Sequence, residues 1–181
     1  VVFVHDEDPD VLELFGEGEL ASILINFPTP FPKKKRASRR LTYLDRLMKY
    51  RRVLEEGGTV RMRTDSTPFR DFSLTQLNLA GYQLEWETDD VRGMFPDEPW
   101  SGYERKLVAK GAPVVGFCAV PGPAPEHVEQ TAPLSLVSYL PEDLESLDYI
   151  PFGMQGSIDN IVGYNANRRK KGLPDWRPPI V

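Results

Sequence analysis

The chain has 181 residues, is 40% apolar and 27% charged with a net charge of −5, and so suits one domain, or one domain with an appendage, around a real core. No apolar run approaches the ~20 residues of a membrane helix, and no signal peptide is visible, which argues against a membrane protein. The single cysteine, Cys118, excludes an internal disulfide and fits a reducing cytoplasm, and with His5 and His127 it makes too small a set for a His/Cys metal cluster.

The chain opens at Val1 inside an apolar run, "VVFV", and reads as a fragment whose N-terminal part is missing. That run is a buried-strand candidate, and "HDEDPD" after it is an acidic turn. "PDVLELF" fits a short helix with Pro9 near its first turn, and "GEGEL" breaks it. "ASILINF" is a continuous apolar run of strand length, as expected of a central parallel strand covered on both faces.

Pro28, Pro30 and Pro32 then forbid a regular element. Ser38 is a candidate N-cap for a helix whose apolar stripe runs Leu41, Leu44, Leu47, Met48 and Leu54, with Gly57-Gly58 ending it. "TVRMRTD" is the next strand, "PFRDFSLTQLNLAG" a helix closed by Gly81, and "YQLEWET" another strand. "DDVRGMFPDEPWSG" reads as a loop, "YERKLVAKG" as a short helix and "APVVGFCAV" as a last strand. Strand–helix alternation of this kind predicts an α/β fold with a mostly parallel sheet and ligands at the strands' carboxyl ends. Those ends are His5-Asp6, Asn26-Phe27 and Thr64-Asp65.

Beyond residue 120 the character changes, for ten of the 17 prolines lie at or after Pro113. The strand–helix alternation is confined to residues 1–120, and 121–181 read as a Pro-rich C-terminal extension. Within it, "VPGPAPEHVEQTAP" looks like an extended linker, "LSLVSYLPEDLESLDYI" like short elements docking on the core, and "NRRKKGLPDWRPPIV" like a mobile basic tail.

Charge is unevenly spread. From Lys33 to Arg63 the chain is +9 and elsewhere it is −14. A basic block on an acidic protein reads as a polyanion-binding face, with Lys33, Arg36, Arg39 and Arg40 as phosphate contacts; the plainer alternative is a solvated helix face. The proline knot "NFPTPFP" is either the rigid floor of a base pocket, with Phe27 or Phe31 to stack on a ring, or a stiff strand-to-helix loop. Asp65 offers a carboxylate to the two-donor edge of guanine, or else caps the helix near Pro68. "SGYERK" either closes over a base or simply starts a surface helix.

Taken together and in this order, "ASILINFPTPFPKKKRASRRL", "LEEGGTVRMRTD" and "GYERKLVAKG" resemble the C-terminal half of the bacterial tRNA (guanine-N7)-methyltransferases of the TrmB type, over about residues 1–120. The resemblance implies a Rossmann-like class I methyltransferase fold. It also implies S-adenosylmethionine as cofactor, tRNA as partner, and methylation of N7 of guanosine 46 in the variable loop. It implies that Asp6 lies near the cofactor's adenine, and that Lys33, Arg39, Arg40 and Asp65 face the substrate. Ser101, Gly102, Tyr103 and Glu104 match a closing motif. Three departures stand out. Thr29 occupies the place of an aspartate with cofactor and catalytic roles, Phe31 replaces a tryptophan, and the Gly-rich cofactor loop lies before Val1 in the family. The alternatives are a catalytically impaired RNA-binding relative and an interaction module built on the Pro-rich region.

Overall fold

The computed structural model describes residues 10–144 and 147–176. The "VVFV" strand, the His5-Asp6 strand end and Pro9 lie outside the described residues. Helix α1 (Val11–Leu14) is capped by Asp10, whose carboxylate accepts from the Leu12 amide at 3.1 Å. Four strands follow: β1 (Leu20–Asn26), β2 (Leu54–Thr64), β3 (Tyr82–Thr88) and β4 (Val115–Pro121). The helices between them are α2 (Leu44–Val53), α3 (Thr67–Leu79), α4 (Val91–Met94) and α5 (Gly102–Val108); α6 (Gln155–Lys170) closes the chain.

The strands form one mixed sheet in the order β1-β2-β4-β3. β1 and β2 are parallel, and β4 is antiparallel to both β2 and β3. The expectation of a mostly parallel sheet is therefore corrected. β1, β2 and β3 share a direction because α2 and α3 carry the chain back between them. The β3-to-β4 connection makes no such return. It begins with the Val91 amide bonded to the Val114 carbonyl at 2.8 Å, so the chain re-enters the sheet at the end it left and must run antiparallel. Gly116 lets β4 approach β2 closely, since a Cβ there would meet the Met62 carbonyl oxygen at 2.4 Å.

For β1 the sequence predicts a central position. Among the described residues it is an edge, and Leu24 on its open face is 64% exposed. The other face is covered. Ile25, Val60, Met62, Phe117 and Ala119 pack against Leu44 and Leu47 of α2 and Phe69 and Phe72 of α3. Leu136, Leu140, Met154 and Ile158 from the C-terminal segment join this same cluster.

Local boundaries differ from the sequence reading for identifiable reasons. Ser38 sits inside a 3-10 turn, Lys34–Arg39, and α2 starts later, after Tyr43, which makes no side-chain cap. α2 buries Leu44, Leu47, Tyr50 and Val53, a clean i, i+3 stripe. It ends before Gly57-Gly58 because β2 begins at once: Leu54 pairs with Leu20, and residues 55–58 bulge out, with Gly57 at φ 77°. The expected loop at 89–102 contains α4, capped by Asp90 on the Gly93 amide at 2.8 Å. Only residues 167–170 of the expected tail 167–181 are helical: they form the last turn of α6, which is anchored by buried Ile158 and ended by Arg168, Arg169 and Lys170, cations that suit a helix C-terminus, and residues 177–181 lie outside the described residues. Asn165 then exchanges two hydrogen bonds with the Trp176 backbone. No described helix is long and apolar enough to cross a membrane.

Candidate nucleic-acid interface and substrate site

The carboxyl ends of β1 and β2 lie side by side, for the Phe27 amide donates to the Arg63 carbonyl at 2.8 Å. The knot Phe27–Pro32 leaves the sheet from there. Phe27 (φ 49°) and Phe31 (φ 43°) both adopt left-handed backbone, a conformation that costs a bulky residue on the order of 1–3 kcal/mol. Pro28 and Pro32 disfavour right-handed helical backbone at the residue before each but favour extended geometry, so they account only for the absence of helix here.

Arg40 explains the rest. It is fully buried, and its Nε donates to the Pro30 carbonyl at 3.0 Å. Its Nη2 reaches the carbonyls of Phe31 at 2.8 Å and Pro32 at 3.4 Å, and its guanidinium lies 4.2 Å over the Phe72 ring. Burial draws its pKa down to about 10, so it remains a cation at neutral pH. Arg40 is thus the clamp that holds the knot, and the expectation that it touches substrate phosphate is corrected: a side chain with no exposed surface cannot reach one.

Much of the basic block is likewise committed inside the molecule. Arg51 donates to the carbonyls of Ala80, Gly81 and Gly122 at 3.0, 3.1 and 2.6 Å. Lys49 pairs with Asp10 at 2.6 Å. Arg61 pairs with Glu98 at 2.7 Å, and Arg63 binds the same carboxylate. Lys33, Lys34, Lys35, Arg36 and Arg39 differ: all five are exposed, and none has a carboxylate within ion-pair distance among the described residues. Arg39 lies 4.8 Å over the Phe31 ring. The polyanion face is this five-residue cluster, smaller than the +9 segment.

Asp65, at the end of β2, is 8% exposed. It does not cap α3, whose N-cap is Ser66. Its Oδ2 accepts from the Tyr149 hydroxyl at 2.5 Å. Burial, then this bond to a carboxylate, pushes the Tyr149 pKa up. Tyr149 lies 84 residues away in sequence, and no spacing pattern could have paired the two.

In the 101–104 motif, Ser101 Oγ accepts from the Glu104 amide at 3.0 Å, so Ser101 is the N-cap of α5. Glu104 is buried and accepts from Arg92 Nε at 2.5 Å. Arg92 also donates to the Glu98 carbonyl at 2.9 Å and stacks 4.4 Å over Trp100. Gly102 is exposed at the helix start. The exposed Tyr103 packs its ring edge-on against Phe27, centroids 5.6 Å apart. This contact joins the motif to the knot.

Two pockets result. One, of about 300 Å³, is lined by Thr29, Phe31, Lys33, Lys35 and Arg36 of the knot and its 3-10 turn, and by Phe152 and Gly153. The other, of about 290 Å³, contains Asp65, Thr67, Asp71, Leu147, Tyr149 and Pro151. The knot and Asp65 therefore do not share one cavity: residues 149–153 run between them and supply a wall to each. Thr29 is exposed on the first pocket. Asp6 lies outside the described residues. Sequence reasoning missed Tyr149, Phe152 and Arg92; only "PFG" at 151–153, an aromatic between proline and glycine, carried a turn signal.

The sequence that builds this site is similar to that of known proteins. A protein of Geobacillus thermodenitrificans named tRNA (guanine-N(7)-)-methyltransferase is 39% identical over 107 residues, covering 56% of this chain and 48% of that protein. Proteins of the same name from Limosilactobacillus reuteri and Halalkalibacterium halodurans are 36% identical over 112 residues and 35% over 114, covering 61% and 60% of this chain and 53% and 50% of theirs. The chain thus spans about half the length of the curated relatives it matches. The family model described as "Putative methyltransferase" matches residues 2–116, which takes in the β1 and β2 strand ends, the knot and the 101–104 motif, and by that match the chain belongs to this methyltransferase family.

Proposed function

We propose that this chain is the tRNA-facing half of a tRNA (guanine-N7)-methyltransferase acting in the cytoplasm on position 46 of the variable loop. The carrying observation is the cluster of exposed, carboxylate-free cations Lys33, Lys35 and Arg36 on the same pocket as Thr29, at the carboxyl end of a parallel strand. The relatives' names supply the chemistry. Three co-directional strands with a reversed fourth set between the last two are compatible with a Rossmann-like class I fold. Residues 1–120 belong to the catalytic unit, and 121–181 form an extension packed back on it.

The geometry supports the following roles. Lys33, Arg36 and Arg39 hold phosphates, which positions the RNA without reading its sequence. Asp65 accepts the N1–H and N2–H₂ edge of guanine. A carboxylate has about four lone-pair sites, so the Tyr149 bond leaves room for that edge and fixes the carboxylate's orientation. Arg40 keeps the knot rigid, and the Glu104–Arg92 pair fixes the start of α5, whose Tyr103 packs against Phe27. Guanine N7 carries an in-plane lone pair and needs no base, so the task of these residues is alignment.

S-adenosylmethionine, when bound, supplies the methyl group. The described residues do not complete a site for it. None of their glycine-rich stretches follows a strand and opens a helix, and Thr29 brings a hydroxyl where a carboxylate would attract a sulfonium.

The test is methyl transfer to an unmodified tRNA transcript by the whole protein containing this chain, read as N7-methylguanosine in the digested RNA. Transfer is expected, and Asp65→Asn should lower kcat/KM roughly 10- to 100-fold, the loss of a charge-assisted hydrogen bond. Folded, cofactor-loaded protein that binds tRNA yet yields no N7-methylguanosine would favour an RNA-binding relative, which Thr29 alone supports.

A further inference from the structure

We propose that the segment Tyr149–Gly153, which lies outside the family-matched residues 2–116, is part of the RNA-binding surface, and that Phe152 stacks on an unpaired base of the RNA. The inference rests on the tRNA reading above and adds a residue that the reading does not need.

Phe152 is 74% exposed, the highest value among the large hydrophobic side chains of the described residues. Its place is fixed by its neighbours. Pro151 is buried, Tyr149 is tied to Asp65 at 2.5 Å, and Gly153 turns the chain at φ 78° where a Cβ would lie 3.7 Å from the Pro32 ring. The Leu136 amide, bonded to the Pro32 carbonyl at 3.1 Å, also holds an earlier turn of the C-terminal region, Leu136–Tyr139, against the knot. An anchored turn thus presents a bare aromatic ring to water, at a cost in hydration that nothing within the described residues recovers.

The surroundings specify the ligand. Phe152 shares its pocket with Phe31 and with Lys33, Lys35 and Arg36. Flat rings interleaved with unpaired cations fit single-stranded nucleic acid, whose bases stack while its phosphates meet the cations. An acidic peptide would use the cations but has no flat face for the ring. The chain therefore grips one nucleotide from two sides: charge from the 3-10 turn, stacking from the C-terminal segment.

The experiment is fluorescence anisotropy of a labelled unmodified tRNA transcript with the full chain, over a salt series, with heparin as a polyanion that lacks bases. Phe152→Ala should weaken tRNA binding about 5- to 100-fold, as loss of one base stack does. Its salt slope and its heparin affinity should match wild type, and Phe152→Trp should retain tRNA binding. Because the side chain is exposed, neither variant has a folding penalty to confuse the result. Wild-type binding that Phe152→Ala leaves unchanged overturns this inference alone and leaves the methyltransferase reading standing. An equal loss towards heparin overturns the stacking role. No tRNA binding by wild type overturns both.

Discussion

Arg39 and Arg40 are adjacent in sequence and opposite in use. Arg39 is exposed over the Phe31 ring, while Arg40 is buried, with three backbone carbonyls around its guanidinium. The same division runs through the whole basic block. Its inner cations, Arg40, Arg51, Arg61 and Arg63, bind carbonyls or Glu98 and hold the fold together. Its outer ones, Lys33 to Arg36 and Arg39, are exposed and have no carboxylate partner among the described residues. A cation's contribution thus depends on where its side chain can go, and local charge density does not report that. The forked guanidinium suits the inner task, since it can serve several carbonyls at once, and lysine is found mainly in the outer set.

Substitution separates the two groups. The largest effect belongs to Arg40→Ala, which removes the donor to three carbonyls and opens a cavity beside Phe72; we expect a loss of about 3 kcal/mol or more in urea denaturation. Arg40→Lys should recover little of it, because an ammonium cannot reproduce the fork. A loss under about 1 kcal/mol would break the comparison. Next is Arg51→Ala, which unties the α3–β3 turn from Gly122 and should cost about 1.5–3 kcal/mol by the same measurement.

Smallest in stability are Arg39→Ala, Lys33→Ala and Arg36→Ala, each expected within about 0.5 kcal/mol of wild type. Their effect appears in binding instead. Each should reduce the salt slope of tRNA affinity by about one unit, one lost phosphate contact. An unchanged slope for all three would remove the outer cluster from the interface.

The site was legible in parts. The strand ends Asn26-Phe27 and Thr64-Asp65 could be read because apolar runs stop there against proline, or against polar residues before a helix. The structure does bring those ends together. The sheet's direction could not be read from alternation, since a strand is parallel or antiparallel according to whether its connection crosses the sheet. The buried Glu104–Arg92 pair was invisible for a similar reason: "SGYE" looks like a capping motif, which Ser101 fulfils, while the carboxylate goes elsewhere.

The sequence by itself determined the four described strands with α2 and α3 between them, the proline knot, the cationic cluster and the family likeness, because each depends on residues close together in the chain. Tertiary structure alone decided which cations remain free, that Tyr149 meets Asp65, and that Phe152 stands beside Lys33. Those facts depend on how a segment more than 80 residues downstream of Asp65 packs against the strand ends, and packing is set by shape and burial across the whole core.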